Sequence, residues 1–466
     1  MATDIRATVG EDLPSSVFSG RLRNTTIGLI TVVTMIAFEA MAVTPALPTA
    51  ARELHGLAAF GWAFTAFLVT NVVGMVIAGQ LSDARGPRLP MVCGMALFVA
   101  GLVIAGTATT MLQLILARGV QGLGSGLLIT AVYVLIGITY PGELQPKVFT
   151  ATSAAWLLPS LLGPLVSGLV TQHLSWRWVF LGLLPFLAIG CALMVPVLRL
   201  LHGGSPHGHS ALADPRRILR ALVVAGGVAA FEGAGQHPSV LAVLVAIAGV
   251  AAVIWGIRGL VPPGTFQVRP GVGSAVALRA LLAGSFFGAE TVLPLMLNVQ
   301  HGLGPTAAGL PLAVSGIVWG FGSWWQARER AGDDELRRVR LLQAGFASLV
   351  IALALIAVTT LPGAPVWLAY PGWGFAGLGA GLAMTTANVL LLRHTTDLDR
   401  GRDSAALQLG DTTFSALTTG VAGVLVAAAA RGALGYTTSF VAIFVAMLAV
   451  AMVGLAVSGR ARTLRR

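Results

Sequence analysis

Residues 58–108 read AAFGWAFTAFLVTNVVGMVIAGQLSDARGPRLPMVCGMALFVAGLVIAGTA: two apolar runs joined by one short segment, Gly79-Gln80-Leu81-Ser82-Asp83-Ala84-Arg85-Gly86-Pro87-Arg88, which holds all of their charge. Each run is about 20 residues long, enough at ~1.5 Å per residue to cross ~30 Å of hydrocarbon. The runs are continuously apolar and do not alternate every second residue. Backbone in lipid must satisfy its own hydrogen bonds, so the pattern fits helices and not a β-barrel.

The same pattern fills the chain in both directions. Apolar runs predict helices at 25–48, 58–80, 89–108, 111–137, 148–171, 177–200, 217–234, 238–258, 274–298, 305–327, 339–361, 366–392, 404–430 and 436–458, fourteen in all. The 466 residues are 56% hydrophobic and 10% charged, whereas soluble domains run near ~25% charged. The expected fold is therefore all-α and integral to the membrane. Of the 29 Lys and Arg, only Arg52, Arg177 and Arg431 fall in outer loops and Arg118 deep within a helix when the N-terminus is placed inside and residues near a helix end are counted with the adjoining loop. The positive-inside rule then puts both tails, 1–24 and 459–466, in the cytoplasm. The run at 217–234 is short, Gly-rich and ends at Glu232, which is expected to face outer water; it alternatively forms half of a re-entrant hairpin with its neighbour. Setting that pair (217–273) aside leaves a six-helix bundle over 25–200 and another over 274–458, with a cytoplasmic linker at 201–216. Two bundles of this kind fit a transporter that rocks about a midplane site.

Several function classes are excluded or disfavoured. The net charge of +11 is dispersed over short loops, with no soluble basic domain to hold nucleic acid. No Gly-x-x-x-x-Gly-Lys-Ser/Thr phosphate loop occurs, which argues against a primary pump, and no HExxH or metal-spaced cluster points to an enzyme, so no catalytic residue, metal or cofactor is expected. His202, His207 and His209 lie among Gly, Ser and Pro and read as a solvated linker. Cys93 and Cys191 lie inside apolar runs and read as core residues. The N-terminus lacks the features of a cleaved signal peptide, so the first helix is expected to be retained.

Polar residues inside the runs are the candidate working parts, because ionisable groups are costly in hydrocarbon. Glu39, Glu290 and Arg118 all fall in the outer half of the bilayer, at compatible depth. A buried carboxyl beside an Arg is a plausible proton switch, with Glu39 carrying the proton and Arg118 tuning it; the alternative is a permanent ion pair holding helices together. Glu290 is a second protonation site, a cation-binding group or a satisfied interhelical partner. Arg118, Gln121 and Ser125 share one helical face among glycines that permit close packing. Gln408, Asp411, Thr412, Ser415 and Thr419 form a polar stripe suited to lining a water-filled cavity, although Asp411 is near enough to the cytoplasmic end to serve as a cap. Among Trp62, Trp156, Trp319, Trp324, Trp325 and Trp373, most are expected to anchor at interfaces, and Trp156 is the one candidate for a ligand contact.

Three segments carry a family resemblance. Gly79 to Arg88, Gly86 included, matches Gly-x-Leu-x-Asp-x-x-Gly-x-Arg, and so resembles the cytoplasmic signature of the major facilitator superfamily; Gly79 is expected to allow close helix approach, Asp83 to pair with a basic group or helix N-terminus, and Arg85 and Arg88 to stay in the headgroup zone. Arg118-Gly119-Val120-Gln121-Gly122-Leu123-Gly124-Ser125-Gly126 resembles the family's fourth-helix motif, in which a buried Arg is linked to proton transfer. Gly163-Pro164 resembles the antiporter motif of the fifth helix, where a kink can act as hinge or seal, although Ser167 stands where glycine is common. Ala46-Leu47-Pro48, Trp176 to Phe180 and Gln300 to Pro305, with the extra helix pair, extend the resemblance to the fourteen-helix drug and proton antiporter branch. There Glu39 replaces the usual Asp, and 320–330 lacks a copy of the cytoplasmic signature. The resemblance implies a functional monomer exporting small amphiphilic molecules against protons, with membrane lipids as its surroundings. Export of a lipid, an envelope component or a dedicated metabolite is the alternative; uptake by symport is disfavoured by Gly163-Pro164, and a non-transporting sensor or scaffold is the different-class reading. The use of 28 Arg against one Lys, with abundant Ala and Gly, points to a GC-rich bacterial genome and hence to the bacterial inner membrane.

Overall fold

The computed structural model of the protein describes residues 17–18, 22–141, 143–200, 214–236, 239–328, 335–395 and 400–462. The polar stretch with His202, His207 and His209, most of the N-terminal tail and the last four residues lie outside the described residues. The described chain is all helical. In order the helices are α1 (Leu22–Glu53), α2 (Phe60–Arg85), α3 (Arg88–Gly106), α4 (Met111–Thr139), α5 (Gln145–Ala154), α6 (Leu157–His173), α7 (Arg177–Leu181), α8 (Leu184–Leu200), α9 (Pro215–Ala234), α10 (Val240–Arg258), α11 (Val272–His301), α12 (Pro305–Arg328), α13 (Glu335–Thr359), α14 (Ala369–His394), α15 (Arg400–Ala430) and α16 (Tyr436–Val457).

Among the described residues twelve helical segments are long and apolar enough to cross a membrane. Two of the predicted runs fall short of that description. The fifth, expected as one helix over 148–171, breaks into α5 and α6 because Pro159 has no N–H to give the carbonyl of Ala155 and its ring crowds it; Pro is tolerated in the first turn, so the helix restarts at Leu157. Pro185 breaks the sixth run in the same way, between α7 and α8. The seventh, α9, is 20 residues long but carries Arg216, Arg217, Arg220 and Glu232. It starts at an Asp214 cap that accepts from Arg216 N at 3.0 Å, with Pro215 in the first turn. It then packs along α10, where a methyl on Gly227 would meet Gly249 O at 2.6 Å, and Arg220 donates to Gly259 O at 3.2 Å. The two helices pair along their length.

The helices form two halves with matching internal packing. In the first, α4 packs against both α2 and α3; in the second, α14 packs against both α12 and α13. Small residues make these approaches possible. A methyl on Gly124 would lie 2.6 Å from Phe98 N, one on Gly126 2.9 Å from Met75 N, and one on Gly379 3.1 Å from Leu349 N. By contrast Gly119 has only Thr70 Cγ2 near it, at 3.8 Å. Gly126→Leu is therefore expected to lower stability by about 1–3 kcal/mol through overpacking, while Gly119→Ala is tolerated. Thermal unfolding of the purified variants in detergent checks the contrast.

The halves meet along two seams, α2 with α15 and α6 with α12, and α9 packs against both members of the first. The loop ends at 52–60, 107–110, 173–177, 235–236, 298–305, 359–366 and 431–437 share one face. Arg52 is bonded to Asn298, Trp176 Nε1 donates to Glu53 at 2.8 Å, Gln236 Nε2 to Ala58 O at 3.2 Å, Arg177 to Ala108 O at 3.1 Å, and Gln300 Nε2 to Thr437 at 3.0 Å. The described chain ends, near Leu22 and Ala461, lie on the other face. Helix α11 is the most buried of the apolar spans and α10 the least, with Val240, Leu241 and Ile247 all exposed.

Candidate functional site

In the middle of α1 the Glu39 side chain is fully buried, and it meets Arg118 of α4, 3% exposed. Arg118 forms an ion pair with Glu39 Oε1 through Nη1, which also donates to Gln121 Oε1 at 2.9 Å; its Nε donates to Ala63 O of α2 at 3.1 Å. The guanidinium lies over the Phe67 ring, 4.4 Å from its centroid. One turn of helical spacing sets Gln121 on the same face as Arg118. The predicted Glu39 and Arg118 pair is thus present in space, with Gln121 completing it. The network is incomplete: Glu39 Oε2 and Gln121 Nε2 have no hydrogen-bond partner. Removing charges from water is expensive, and such a pair offsets that cost only when the remaining polar atoms are satisfied. A carboxylate left with one open oxygen can accept a proton without dismantling the Arg118 contacts to Gln121 and Ala63.

Glu290, at the corresponding depth of α11, is 8% exposed and makes no hydrogen bond or ion pair among the described residues. It is not part of the Glu39 network. One turn earlier Phe286 stacks on Trp373 (centroids 5.2 Å) and meets Trp319 edge-on at 5.4 Å, an aromatic floor within the second half.

A second ion pair was not anticipated. Arg279 Nε donates to Asp411 Oδ2 at 2.7 Å, while its Nη1 is bonded to Asn388 Oδ1, tying α11, α15 and α14 together. This gives Asp411 a cation partner. Gln408, one turn away, is hydrogen-bonded to Tyr133 of α4, so it bridges the halves. Ser415 is buried with its hydroxyl unpartnered, and Thr419 faces Thr291 across α11 at 3.5 Å. Arg279→Met leaves the Asp411 carboxylate, 15% exposed, without its cation. The expected loss is roughly 1–3 kcal/mol, below that of a fully buried pair. A second change, Asp411→Leu, should recover most of it in a double-mutant cycle.

The motif residues divide. Gly86 has φ +79° and its N–H bonds Ser82 O at 2.9 Å, closing α2 in a conformation that a side chain would strain. Asp83, Arg85 and Arg88 are exposed at this turn. Gly79 departs from expectation: a methyl there would meet nothing within 4 Å, so it provides no close helix approach. Gly163 packs on α1, where a methyl would lie 3.0 Å from Met41 Cβ, and the carbonyl of Pro164 lies against Gly309 of α12. Ser167, on the same helix, is hydrogen-bonded to Ala42 O. The Gly-Pro segment therefore sits where α1, α6 and α12 join, on a seam between the halves. Trp156 occupies the break between α5 and α6, half-buried against the core.

Glu232 is the other departure. Expected at a water-facing end, it is fully buried at the close of α9, between α2 and α15. Sequence signals could not show this, since the burial comes from two glycines on other helices.

Comparison with known proteins agrees with this architecture. Residues 29–410 match the description of the Major Facilitator Superfamily. The chain is 27% identical over 405 residues to the probable multidrug-efflux transporter Rv1634 of Mycobacterium tuberculosis, covering 83% of this chain and 84% of that one. It is 29% identical to the MFS transporter L2 of Phoma sp. over 76% of this chain, and 33% identical to the multidrug transporter protein MdtP of Bacillus subtilis over 39% of it. The chain spans only 57% and 33% of the lengths of these last two relatives. Among solved structures it is similar to a D-xylose-proton symporter (TM-score 0.67, 15% identity, 96% of this chain and 100% of that one) and to a POT family transporter (TM-score 0.70, 14% identity, 94% and 97%). At these identities the likeness shows the fold.

Proposed function

Because the chain belongs to the Major Facilitator Superfamily, whose members are membrane transporters and not enzymes, we propose that it is a proton-coupled antiporter exporting drugs or other small amphiphilic molecules by alternating access. The observation that carries this reading is the buried Glu39 and Arg118 pair, with one open carboxylate oxygen and a grip on the α2 backbone through Ala63. Protonation of Glu39 neutralises one half of the pair. Arg118 then has only Gln121, Ala63 O and the Phe67 face, so its hold on α1 weakens and α1 is free to move relative to α2 and α4. A proton is thereby linked to the geometry of the first half.

The Gly163-Pro164 segment supports export, because its backbone makes a close contact with α12 near the face opposite the chain ends, where a proton leak would have to be sealed. The relatives named for multidrug efflux support amphiphilic substrates, and the aromatic floor around Phe286 offers them apolar contact with few fixed hydrogen bonds. The proposed topology has fourteen crossings: the twelve apolar spans, the broken α5–α6 segment, and α9, whose ~30 Å length matches the hydrocarbon. The two six-helix bundles are 25–200 and 274–458, with 217–273 added between them and both tails cytoplasmic in a bacterial cell membrane. The working unit is a monomer, and protons serve as the coupling ion.

The test is efflux of a lipophilic cationic dye from proteoliposomes of defined orientation, with and without an imposed pH gradient. Gradient-driven efflux is expected. Efflux that ignores the gradient would sink the antiport mechanism, and absence of dye flux beside gradient-driven movement of lipid would move the assignment to an envelope component.

A further inference from the structure

The close of α9 delivers a carboxylic acid to the seam between the two halves. A methyl added to Gly61 of α2 or to Gly423 of α15 would in each case come within 2.6 Å of Glu232 Oε1, and the methyl on Gly423 would lie 3.0 Å from the Gly61 Cα. Two glycines from opposite halves thus face each other, and the acid fills the notch they leave. Glu232 is fully buried, forms no ion pair among the described residues, and has the Thr65 hydroxyl of α2 as its polar neighbour. Among the described residues no titratable side chain faces it from α2 (60–69), α10 (240–250) or α15 (416–430). On the loop side Arg431 is committed to Gln236 Oε1 at 3.1 Å and Gly235 O at 2.8 Å. An unpaired carboxylate is expensive in such a place, whereas a neutral acid is not.

We propose that Glu232 is a proton-binding site that latches the α2–α15 seam: neutral, it fits the dry notch and the seam closes; ionised, it requires water and the seam opens. The site belongs to the helix pair inserted between the six-helix bundles, and so gives that pair a function. It is also mechanically joined to the first acid. Gly61 and Thr65, which flank Glu232, lie on the same turns of α2 as Ala63, whose carbonyl takes the Arg118 Nε. One stretch of α2 is therefore held on one side by the Glu39 and Arg118 pair and on the other by Glu232. A proton arriving from the loop face would close that face, the step an exporter needs after releasing its substrate.

This inference rests on the reading that the two halves move as a transporter's do, and its test measures movement without transport. Spin labels at Leu112→Cys and Leu361→Cys, both exposed near the loop face in opposite halves (66% and 48%), are placed in a Cys93→Ser and Cys191→Ser background in lipid nanodiscs. Their separation is followed by electron-electron resonance from about pH 5 to about pH 9, a range that spans the titration of a buried acid. The wild-type distribution is expected to shift to longer distances as pH rises. Glu232→Gln should hold the short distance throughout, and Glu39→Gln should keep the pH response even where it has lost gradient-driven efflux. Gly423→Ala, which wedges a methyl against the acid, should hold the long distance at every pH; this second variant decides the matter if Glu232→Gln does not fold. A Glu232→Gln or Gly423→Ala protein that titrates like wild type would overturn the latch, as would a wild-type distance that ignores pH.

Discussion

Glu39→Gln is expected to abolish the gradient-driven part of export while leaving a folded protein that still exchanges substrate. The amide keeps the shape of the acid and its oxygen can still accept from Arg118, so the contacts of α1 with α4 survive. What it cannot do is gain or lose a proton, and the link between the pH gradient and the position of α1 is gone. The gradient stimulation should fall by at least ~10-fold, equivalent to ~1.4 kcal/mol of coupling. Dye efflux with and without a pH gradient measures the loss, and substrate counterflow at symmetrical pH provides the complementary arm, which should persist. If the gradient still drives the Gln variant, the pair is a fixed brace between helices.

Arg118→Ala should produce the largest loss of stability of any single change in the first half. The variant leaves Glu39 buried and unpaired, frees Ala63 O and Gln121 Oε1, and opens a void over the Phe67 ring. Breaking a buried pair by removing one partner typically costs about 3–5 kcal/mol. Much of that is the stranded charge, so combining Arg118→Ala with Glu39→Gln should recover a large part of it. Thermal unfolding of the two single variants and the pair, in one detergent, gives the coupling. A double variant no more stable than Arg118→Ala would mean that packing and not charge dominates the site.

The fold was legible where its cause is local. Twenty-residue apolar runs dictate spans, and the runs from 25 to 137 and from 274 to 458 became α1 to α4 and α11 to α16 with small shifts at their ends. The breaks after Ala154 and Leu181 were also written in the chain, as Pro159 and Pro185 five and four residues on, but continuous hydropathy hides them. The pairing of Glu39 with Arg118 could be anticipated because both are ionisable, mid-run and at similar depth, and Gln121 follows from helical spacing. Arg279 was missed because it lies a few residues inside its helix, where an Arg reads as reaching the headgroups; only tertiary structure reveals Asp411 and Asn388 in its way. Glu232 was misread for the same reason, since a helix end at the membrane surface and a helix end inserted into a seam have the same sequence. The difference lies in Gly61 and Gly423, far away in the chain. Gly79 shows the converse: a motif position need not do locally what its residue type permits.

The most direct test of the central claim is proton movement driven by substrate alone. Proteoliposomes with the protein oriented inside-out are loaded with a pH-sensitive fluorophore at symmetrical pH, and a substrate gradient is imposed in the pumping direction with the membrane potential clamped. An antiporter working through Glu39 must move protons opposite to the substrate, so the wild-type lumen should change pH on substrate addition and the Glu39→Gln lumen should not. Substrate flux with no accompanying pH change in the wild type, or with one that survives Glu39→Gln, would contradict the account.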